Sequence, residues 1–434
     1  MARSSDIHSS LRSLSDWLAY LEAIHPKMID MGLERVSRVK EQLSLNPKFP
    51  LIIVAGTNGK GSVCVILEAI LTRAGYRVGC YTSPHLLRYN ERMRINKVEV
   101  DDESLCRVFG RINEAREACQ ASLTFFEFGT LAAMDWFIRS EVEVAILEIG
   151  LGGRLDAVNV FSPDCSIVTS IDFDHMEYLG DSREKIGCEK IAIFRNGKPA
   201  ICAETDLPSI VWQQINQIDP DLLLLNKQFG YVDKSSQWDY WGPKDCRYSL
   251  PFPALRGQKQ LQNASTCLAA LDTLQTVLPV TMQNIRDGLN EAVIPGRFQV
   301  ISTHPMIILD VAHNPAAAAV LSDNLVATKP TGKTYAVFAM FADKDISGVV
   351  SQIKQQVDVW LVSSVHSERA ATTDYICSQL YDAGISTDKN VVLSFLNVID
   401  AFVFACGQAT KNDRICVFGS FYTVGDVLRH WKTL

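Results

Sequence analysis

The chain is short of most features that mark a specialised class. Gly and Pro are not in excess, at 25 and 16 of 434 residues, so neither a collagen-like nor a low-complexity chain is at hand. No uninterrupted apolar run reaches the roughly 20 residues that span a bilayer. The stretch Met1–Ser15 is polar and lacks the apolar segment of a secretory signal. The expectation is a cytoplasmic protein without membrane contact. A basic arm or Lys/Arg stripe is missing too: 42 basic against 49 acidic residues leave a net charge of −7, which argues against nucleic acid as a partner. The 12 cysteines include no C-x-x-C, so a zinc ribbon or dithiol motif is excluded. Cys64, Cys165 and Cys416 lie inside apolar segments and read as reduced core residues.

What is present is an ordinary globular composition, 47% hydrophobic and 21% charged, in a chain too long for one core. Leu11 to Leu45 reads as helical with a break at Pro26. Leu51 to Ala55 is wholly apolar, as a strand buried on both faces must be, and a glycine loop and a helix from Val63 to Arg73 follow it. Arg77–Tyr81, Val142–Ile149 and Cys165–Ile171 are further strands, and this alternation predicts a doubly wound, mostly parallel α/β sheet. The pattern is mixed from Pro199 to Gly242, with a strand at Leu222–Leu225, and Gln262–Leu278 is a helix. Ile294-Pro295-Gly296-Arg297 is the best interdomain joint. Beyond it the β/α rhythm restarts with strands at Met306–Leu309, Tyr335–Phe341, Val357–Val362, Val391–Ser394 and Ile415–Phe418. The division is therefore residues 1–295 for an ATP-binding domain and 296–434 for a smaller α/β, Rossmann-like domain.

The sharpest local signal is Gly56-Thr57-Asn58-Gly59-Lys60-Gly61-Ser62, between the first strand and its helix. Glycines let successive N–H groups point at an anion, the helix N-terminus adds its positive dipole end, and Lys60 adds a full charge. Ser62 reaches a phosphate or a Mg²⁺. The spacing is tighter than the usual G-x-x-x-x-G-K-[ST]. A plain glycine turn is the bland alternative, but the strand–loop–helix context favours a nucleotide. Asn226-Lys227-Gln228-Phe229 lacks the acid of a guanine-reading motif, so ATP is favoured over GTP.

This loop, followed by Tyr81-Thr82-Ser83-Pro84-His85-Leu86, resembles the folylpolyglutamate synthase/dihydrofolate synthase branch of the Mur ligase superfamily. The resemblance recurs through Leu147-Glu148-Ile149-Gly150-Leu151-Gly152-Gly153-Arg154-Leu155-Asp156-Ala157, Asp174-His175 and Glu189-Lys190. It continues at Asn263-Ala264, Pro295-Gly296-Arg297-Phe298, Asp310-Val311-Ala312-His313-Asn314-Pro315 and Gly419 to Val424. The 55 residues ahead of Gly56 are too few for the UDP-sugar domain of the cell-wall Mur ligases, which favours the folate branch, and the segments that the resemblance places on the pterin side favour its bifunctional bacterial type.

The resemblance implies a ligase that couples L-glutamate to dihydropteroate or tetrahydrofolate through an acyl phosphate made from ATP. It gives Lys60, His175 and Lys190 catalytic work, and it gives the nucleotide Gly56 to Ser62 together with Asn263, Arg297, Asp310 and His313. It implies Mg²⁺, as two ions, on Ser83, Glu148, His175 and Lys190, the lysine as a carbamate formed with CO₂. Asp30-Met31-Gly32-Leu33, Thr124-Phe125-Phe126-Glu127 and Leu155-Asp156-Ala157 fall to the pterin side, where aromatic rings can stack on a flat heterocycle.

Each residue also has a plainer reading. Glu148 is a surface acid at a strand end, His175 a packed histidine, Lys190 a solvated lysine beside Glu189, and the phenylalanine pair simply core. Asn263 and Asn314 are helix N-caps, the latter with Pro315 at the first helical position. Arg297 is a linker charge. Met176-Glu177-Tyr178 departs from the threonine that relatives often carry there. The competing functions are a Mur-type ligase for another carboxylate, a phosphate-loop kinase or ATPase, and a nucleotide-binding scaffold without catalysis. Small molecules are the expected partners of a monomer.

Overall fold

Five consecutive apolar residues, Leu51–Ala55, form β1, and all five are buried. In the computed structural model, which describes residues 13–27, 29–257, 259–328, 330–385 and 391–433, this strand lies in the middle of an eight-stranded sheet. β2 (Val78–Tyr81), β3 (Met93–Ile95), β4 (Val98–Glu99), β5 (Val144–Glu148), β6 (Cys165–Val168), β7 (Pro199–Cys202) and β8 (Asp221–Leu224) complete it, in the order β4-β3-β2-β5-β1-β6-β7-β8. From β2 to β8 every neighbouring pair is parallel, while β3 and β4 add an antiparallel edge. That edge is absent from the sequence expectation because two strands of three and two residues carry too short a pattern to register.

The chain leaves β1 for β2 on one side and returns through β6 on the other. The carboxyl ends of β5, β1 and β6 therefore border the crevice where open α/β sheets take ligands. Helix Lys60–Arg73 packs on this sheet with Val63, Cys64, Ile66, Leu67, Ile70 and Leu71 fully buried, each aliphatic side chain contributing about 1.5–3 kcal/mol. The stretch read as one broken helix resolves into Leu14–Ala23 and Glu34–Gln42; residues 11 and 12, like the polar 1–10, fall outside the described residues. The region read as mixed holds a three-stranded antiparallel sheet: β9 (Gly230–Asp233), β10 (Trp238–Trp241) and β11 (Cys246–Leu250).

Contacts divide the chain into two compact units, Met1–Pro253 with Leu261–Ala292, and Ala254–Gln260 with Val293–Leu434. The short segment Ala254–Gln260 thus packs with the second unit although it precedes the helix Lys259–Thr273 almost entirely. The second unit is built on β12 (Gln299–Thr303), β13 (Met306–Asp310), β14 (Thr334–Phe338), β15 (Val359–Val362), β16 (Val391–Ser394) and β17 (Arg414–Phe418), ordered β12-β13-β17-β14-β15-β16. Five strands are parallel; β12, which carries no run of apolar residues and escaped the sequence reading, pairs antiparallel with β13. The fold is α/β in both units. No described helix is long and apolar enough to cross a membrane.

Candidate functional site

The loop after β1 is fastened by the residues that follow β6. Thr57 N–H donates to Ser170 O at 2.9 Å, and Asn58 N–H to Ser170 Oγ at 3.0 Å. Thr169 Oγ1 and Ser170 Oγ donate back to Asn58 O at 2.6 and 3.1 Å. Thr57 Oγ1 both donates to Asp172 O and accepts from Asp172 N–H, each at 3.0 Å. The strand read as running to Ile171 stops at Val168; beyond it Thr169 N–H still donates to Ala55 O at 2.9 Å, while the hydroxyls of Thr169 and Ser170 turn to the loop. Sequence reasoning missed these residues; two hydroxyls closing an apolar strand were the available signal. Gly56 and Gly59 adopt φ of 148° and 91°, and a Cβ on Gly59 would stand 2.9 Å from Asn263 Oδ1. Asn263 is thus brought against the loop. It sits inside helix Lys259–Thr273, which removes the N-cap reading.

Lys60 begins the helix and bends back over the loop, its Nζ donating to Gly56 O at 2.9 Å and Thr57 O at 3.2 Å. Its charge reaches two buried groups. Lys190, 4% exposed in helix Arg183–Ile191, is not a solvated lysine. Burial first, then Lys60, pushes its ammonium down to about 7, against the pull of Asp174, Asp156 and Glu189. Asp156 is pushed up to about 7 by burial, opposed by the N–H groups of Leu151, Val158 and Gly150 and by Lys60. Its oxygens take those three N–H groups at 2.8, 2.9 and 3.0 Å, so the residue assigned to the pterin side organises the loop that leaves Glu148. Arg154 ties that loop to the Lys190 helix: its N–H donates to Glu189 O and its Nε to Glu189 Oε1, both at 2.9 Å.

Glu148 ends β5, is 5% exposed, and accepts Ser83 N–H at 3.1 Å. The surface-acid reading fails for it. A buried carboxylate beside a serine offers the hard oxygen donors that Mg²⁺ takes, so these two residues fit the ion. His175 has left-handed backbone (φ 50°), caps the short helix Met176–Leu179, and lies 3.8 Å from Asp174 Oδ2 through Nε2. Among the described residues no three His, Cys, Asp or Glu side chains converge as a ready metal cluster. Oxygens from a Lys190 carbamate and from phosphate would have to complete the shell.

Two of the three segments given to the pterin side, Asp30–Leu33 and Thr124–Glu127, meet through a residue the sequence reading passed over. Arg35 pairs with Asp30 Oδ2 at 2.7 Å, and its second amino group donates to Asp30 O at 2.6 Å and Glu127 Oε1 at 3.0 Å. Thr124 and Glu127 form a capping box at the start of helix Phe125–Arg139. Phe126 packs against Gly150 and Tyr81, and Phe125 against Tyr89, ring centroids 6.0 and 5.5 Å apart. Leu33 precedes helix Glu34–Gln42, Met31 and Gly32 occupy the loop before it, and Leu155 and Ala157 flank Asp156.

In the second unit Asp310 ends β13. Its carboxylate accepts Phe298 N–H and Ala312 N–H, both at 2.8 Å, and burial raises its pKa against Arg297, the first of the opposing groups. Arg297 lies 5.6 Å over the Phe421 ring, and the His313 ring is 6.2 Å from the same phenylalanine. Arg297 and His313 thus share Phe421 as a floor, and both act on the Asp310 carboxylate. Asn314 accepts Ala317 N–H at 2.8 Å as the N-cap of helix Pro315–Ala327, as its sequence position predicts. Asn314→Ala should lower unfolding free energy by about 1 kcal/mol in a urea titration; an unchanged midpoint would remove the capping account.

Comparison with known proteins follows this geometry. A family model described as Mur ligase middle domain matches residues 54–220, and one described as Mur ligase, glutamate ligase domain matches residues 296–421. The chain is 41% identical over 416 residues to the dihydrofolate synthase/folylpolyglutamate synthase of Escherichia coli (strain K12), covering 96% of this chain and 94% of that one. The solved structure of E. coli FolC in complex with DHPP and ADP matches with a TM-score of 0.91 at 40% identity, over 98% of both chains. A bifunctional folylpolyglutamate synthase/dihydrofolate synthase with Mn, AMPPNP and L-glutamate bound matches with a TM-score of 0.89 at 40% identity, over 97% of this chain and 98% of that one.

Proposed function

The chain belongs to the dihydrofolate synthase/folylpolyglutamate synthase family of Mur ligases, and from that premise we infer that it is an ATP-dependent ligase joining L-glutamate to dihydropteroate, to the glutamate tail of tetrahydrofolate, or to both. The observation that carries the reading is Lys60, bent over a glycine loop at a helix N-terminus, with the buried amine of Lys190 inside its field. A kinase or motor ATPase has no use for a buried lysine held near neutrality beside its phosphate loop.

Amide formation in water needs an activated acyl group, so the acceptor carboxylate first takes the γ-phosphoryl group of ATP and the glutamate amine then displaces phosphate. The work of the protein is to place the reactants and to neutralise charge on the transferring oxygens. Loop N–H groups from Gly56 to Ser62 and Lys60 hold the phosphates, with Asn263 against the loop. Arg297, Asp310 and His313 are the nucleotide contacts proposed for the second unit. Ser83, Glu148, His175 and carbamylated Lys190 would hold Mg²⁺, which supplies Lewis-acid neutralisation when bound. An amine held at about 7 supports the carbamate, because only its neutral form attacks CO₂. Asp30 to Leu33, Thr124 to Glu127 and Leu155 to Ala157 line the acceptor side, where Asp156 and Glu127 act by positioning their segments. The reading keeps the enzyme cytoplasmic and monomeric.

Phosphate release measured with ATP and glutamate fixed and the acceptor varied tests the reading. Turnover is expected with dihydropteroate or tetrahydrofolate and none with a UDP-linked cell-wall precursor; the reverse pattern would assign the chain to another Mur branch.

A further inference from the structure

The hairpin that follows Ser83 carries three arginines, and two of them are already paired. Arg94 places Nε and an amino group on the buried Glu68 carboxylate at 3.1 and 3.0 Å. Arg88 stands 3.9 and 3.8 Å from Glu99 and Asp102. Arg92 differs. Its Nε donates to His85 Nδ1 at 2.9 Å, and its guanidinium carbon lies 5.1 Å from the Tyr89 ring centroid and 5.3 Å from that of Phe125. Among the described residues no hydrogen bond or ion pair engages its two terminal amino groups. The result is a half-buried cation held over two rings, whose four terminal N–H donors meet no acid in an ion pair among the described residues.

The support beneath it is equally fixed. Glu91 accepts the N–H groups of Leu86, Leu87 and Arg88 at 2.7, 2.7 and 2.8 Å, which locks the turn between Ser83 and Arg92. Phe125 belongs to the segment placed on the acceptor side, and Ser83 is bound to Glu148. A planar, preorganised fork of this kind suits a carboxylate taken bidentately. Such a grip withdraws electron density from the oxygens it holds. It therefore suits a carboxylate that binds without reacting, and a folate acceptor has one: the α-carboxylate of its glutamate tail, beside the γ-carboxylate that is phosphorylated. Dihydropteroate has only the reacting carboxylate.

We propose that Arg92 is the docking point for the α-carboxylate of a glutamylated acceptor, so that it distinguishes tetrahydrofolate from dihydropteroate. The proposal rests on the acceptor reading given above.

Steady-state kinetics of the full chain and of Arg92→Met test it with three acceptors: dihydropteroate, tetrahydrofolate, and a tetrahydrofolate analogue whose tail is 4-aminobutyrate, which lacks the α-carboxylate. Arg92→Met should raise the KM for tetrahydrofolate about 30-fold, as loss of a charge-assisted pair does, while dihydropteroate turnover stays within about threefold. The wild type should lose about the same factor on the analogue, and the variant should lose nothing further. Arg92→Lys, which keeps the charge over both rings but not the fork, serves if the methionine variant does not fold, with an expected loss of about fivefold on tetrahydrofolate alone. Equal losses on both natural acceptors, or an unchanged KM for tetrahydrofolate, would overturn the proposal. A wild-type chain silent with both acceptors would overturn the acceptor reading, and the docking role with it.

Discussion

Lys60→Ala is expected to lower kcat for glutamate ligation by about 10³-fold or more while the protein stays folded. The magnitude follows from what a single preorganised charge contributes where oxygens gain negative charge, about 10²–10³ per donor, and Lys60 carries a second duty. Its Nζ closes over Gly56 O and Thr57 O, so alanine also uncovers two carbonyl dipoles of the wrong sign at the place where phosphate must sit. The hydrophobic residues of the helix are untouched, and the stitching to Thr169 and Ser170 remains, so the circular dichroism melt should move little. Lys60→Arg separates the two duties, since its longer, planar head restores charge without the same fit over the loop. A Lys60→Ala enzyme that ligates at the wild-type rate would remove the phosphate-holding role.

Lys190→Met is expected to cost activity and add stability. Burial holds the ammonium at about 7, down from 10.5 in the open chain. For the CO₂-free protein, below about pH 7 both states carry the proton and the folded state bears the full burial penalty. Between about 7 and 10.5 the unfolded chain keeps a proton that the folded chain has released, so stability climbs with pH, and above that window it levels off. The gap, 10.5 less about 7, corresponds to on the order of 5 kcal/mol at 1.36 kcal/mol per pH unit. Methionine removes the penalty but also leaves Asp156 and Asp174 without a cation they face, so a net gain of about 2 kcal/mol at pH 7 is expected. The unfolding free energy of the variant should be flatter between pH 7 and 10.5. Ligation should fall about 10²-fold or more, and the mass of one CO₂, lost on acidification, should be absent from the variant and present in the wild type. A variant that ligates normally would end the carbamate proposal. One less stable than wild type at pH 7 would show that the lysine is better satisfied than its burial implies.

Much of the fold is legible in the sequence. Strands buried on both faces, such as β1 and β5, announce themselves as apolar runs, and the phosphate loop announces itself by glycine and lysine between a strand and a helix. Asn314-Pro315 marked a helix start correctly because capping is local chemistry. Where contacts are made across long stretches of chain, the residues gave little away. Arg35 ties its near neighbour Asp30 to Glu127, 92 positions from the arginine, and nothing in the sequence marks Glu127 as the acid that meets it. Thr169 and Ser170 are unremarkable letters until β6 is set beside β1. The plainer reading of Asn263 as a cap rests on its helix alone, because the sequence does not show the loop it faces. β12 is hard to read because only two of its five residues, Val300 and Ile301, are apolar and its partner strand reads well alone.

That last strand has a consequence for how the chain tolerates change. Arg297 is placed by hydrogen bonds of its neighbours: Gly296 N–H to Gln299 Oε1, Val311 N–H to Gly296 O, and Phe298 N–H to Asp310 Oδ2. They lie at the open end of a hairpin that pairs Gln299 with Leu309 and Thr303 with Met306 across one tight turn, with a register shift between Val300 and Ser302. Inserting or deleting a single residue in that turn would slide the hairpin by one step and turn each side chain of β12 to the opposite face. The arginine would be carried off with it although no residue of the site had been altered, so length in this turn is under a stricter constraint than composition.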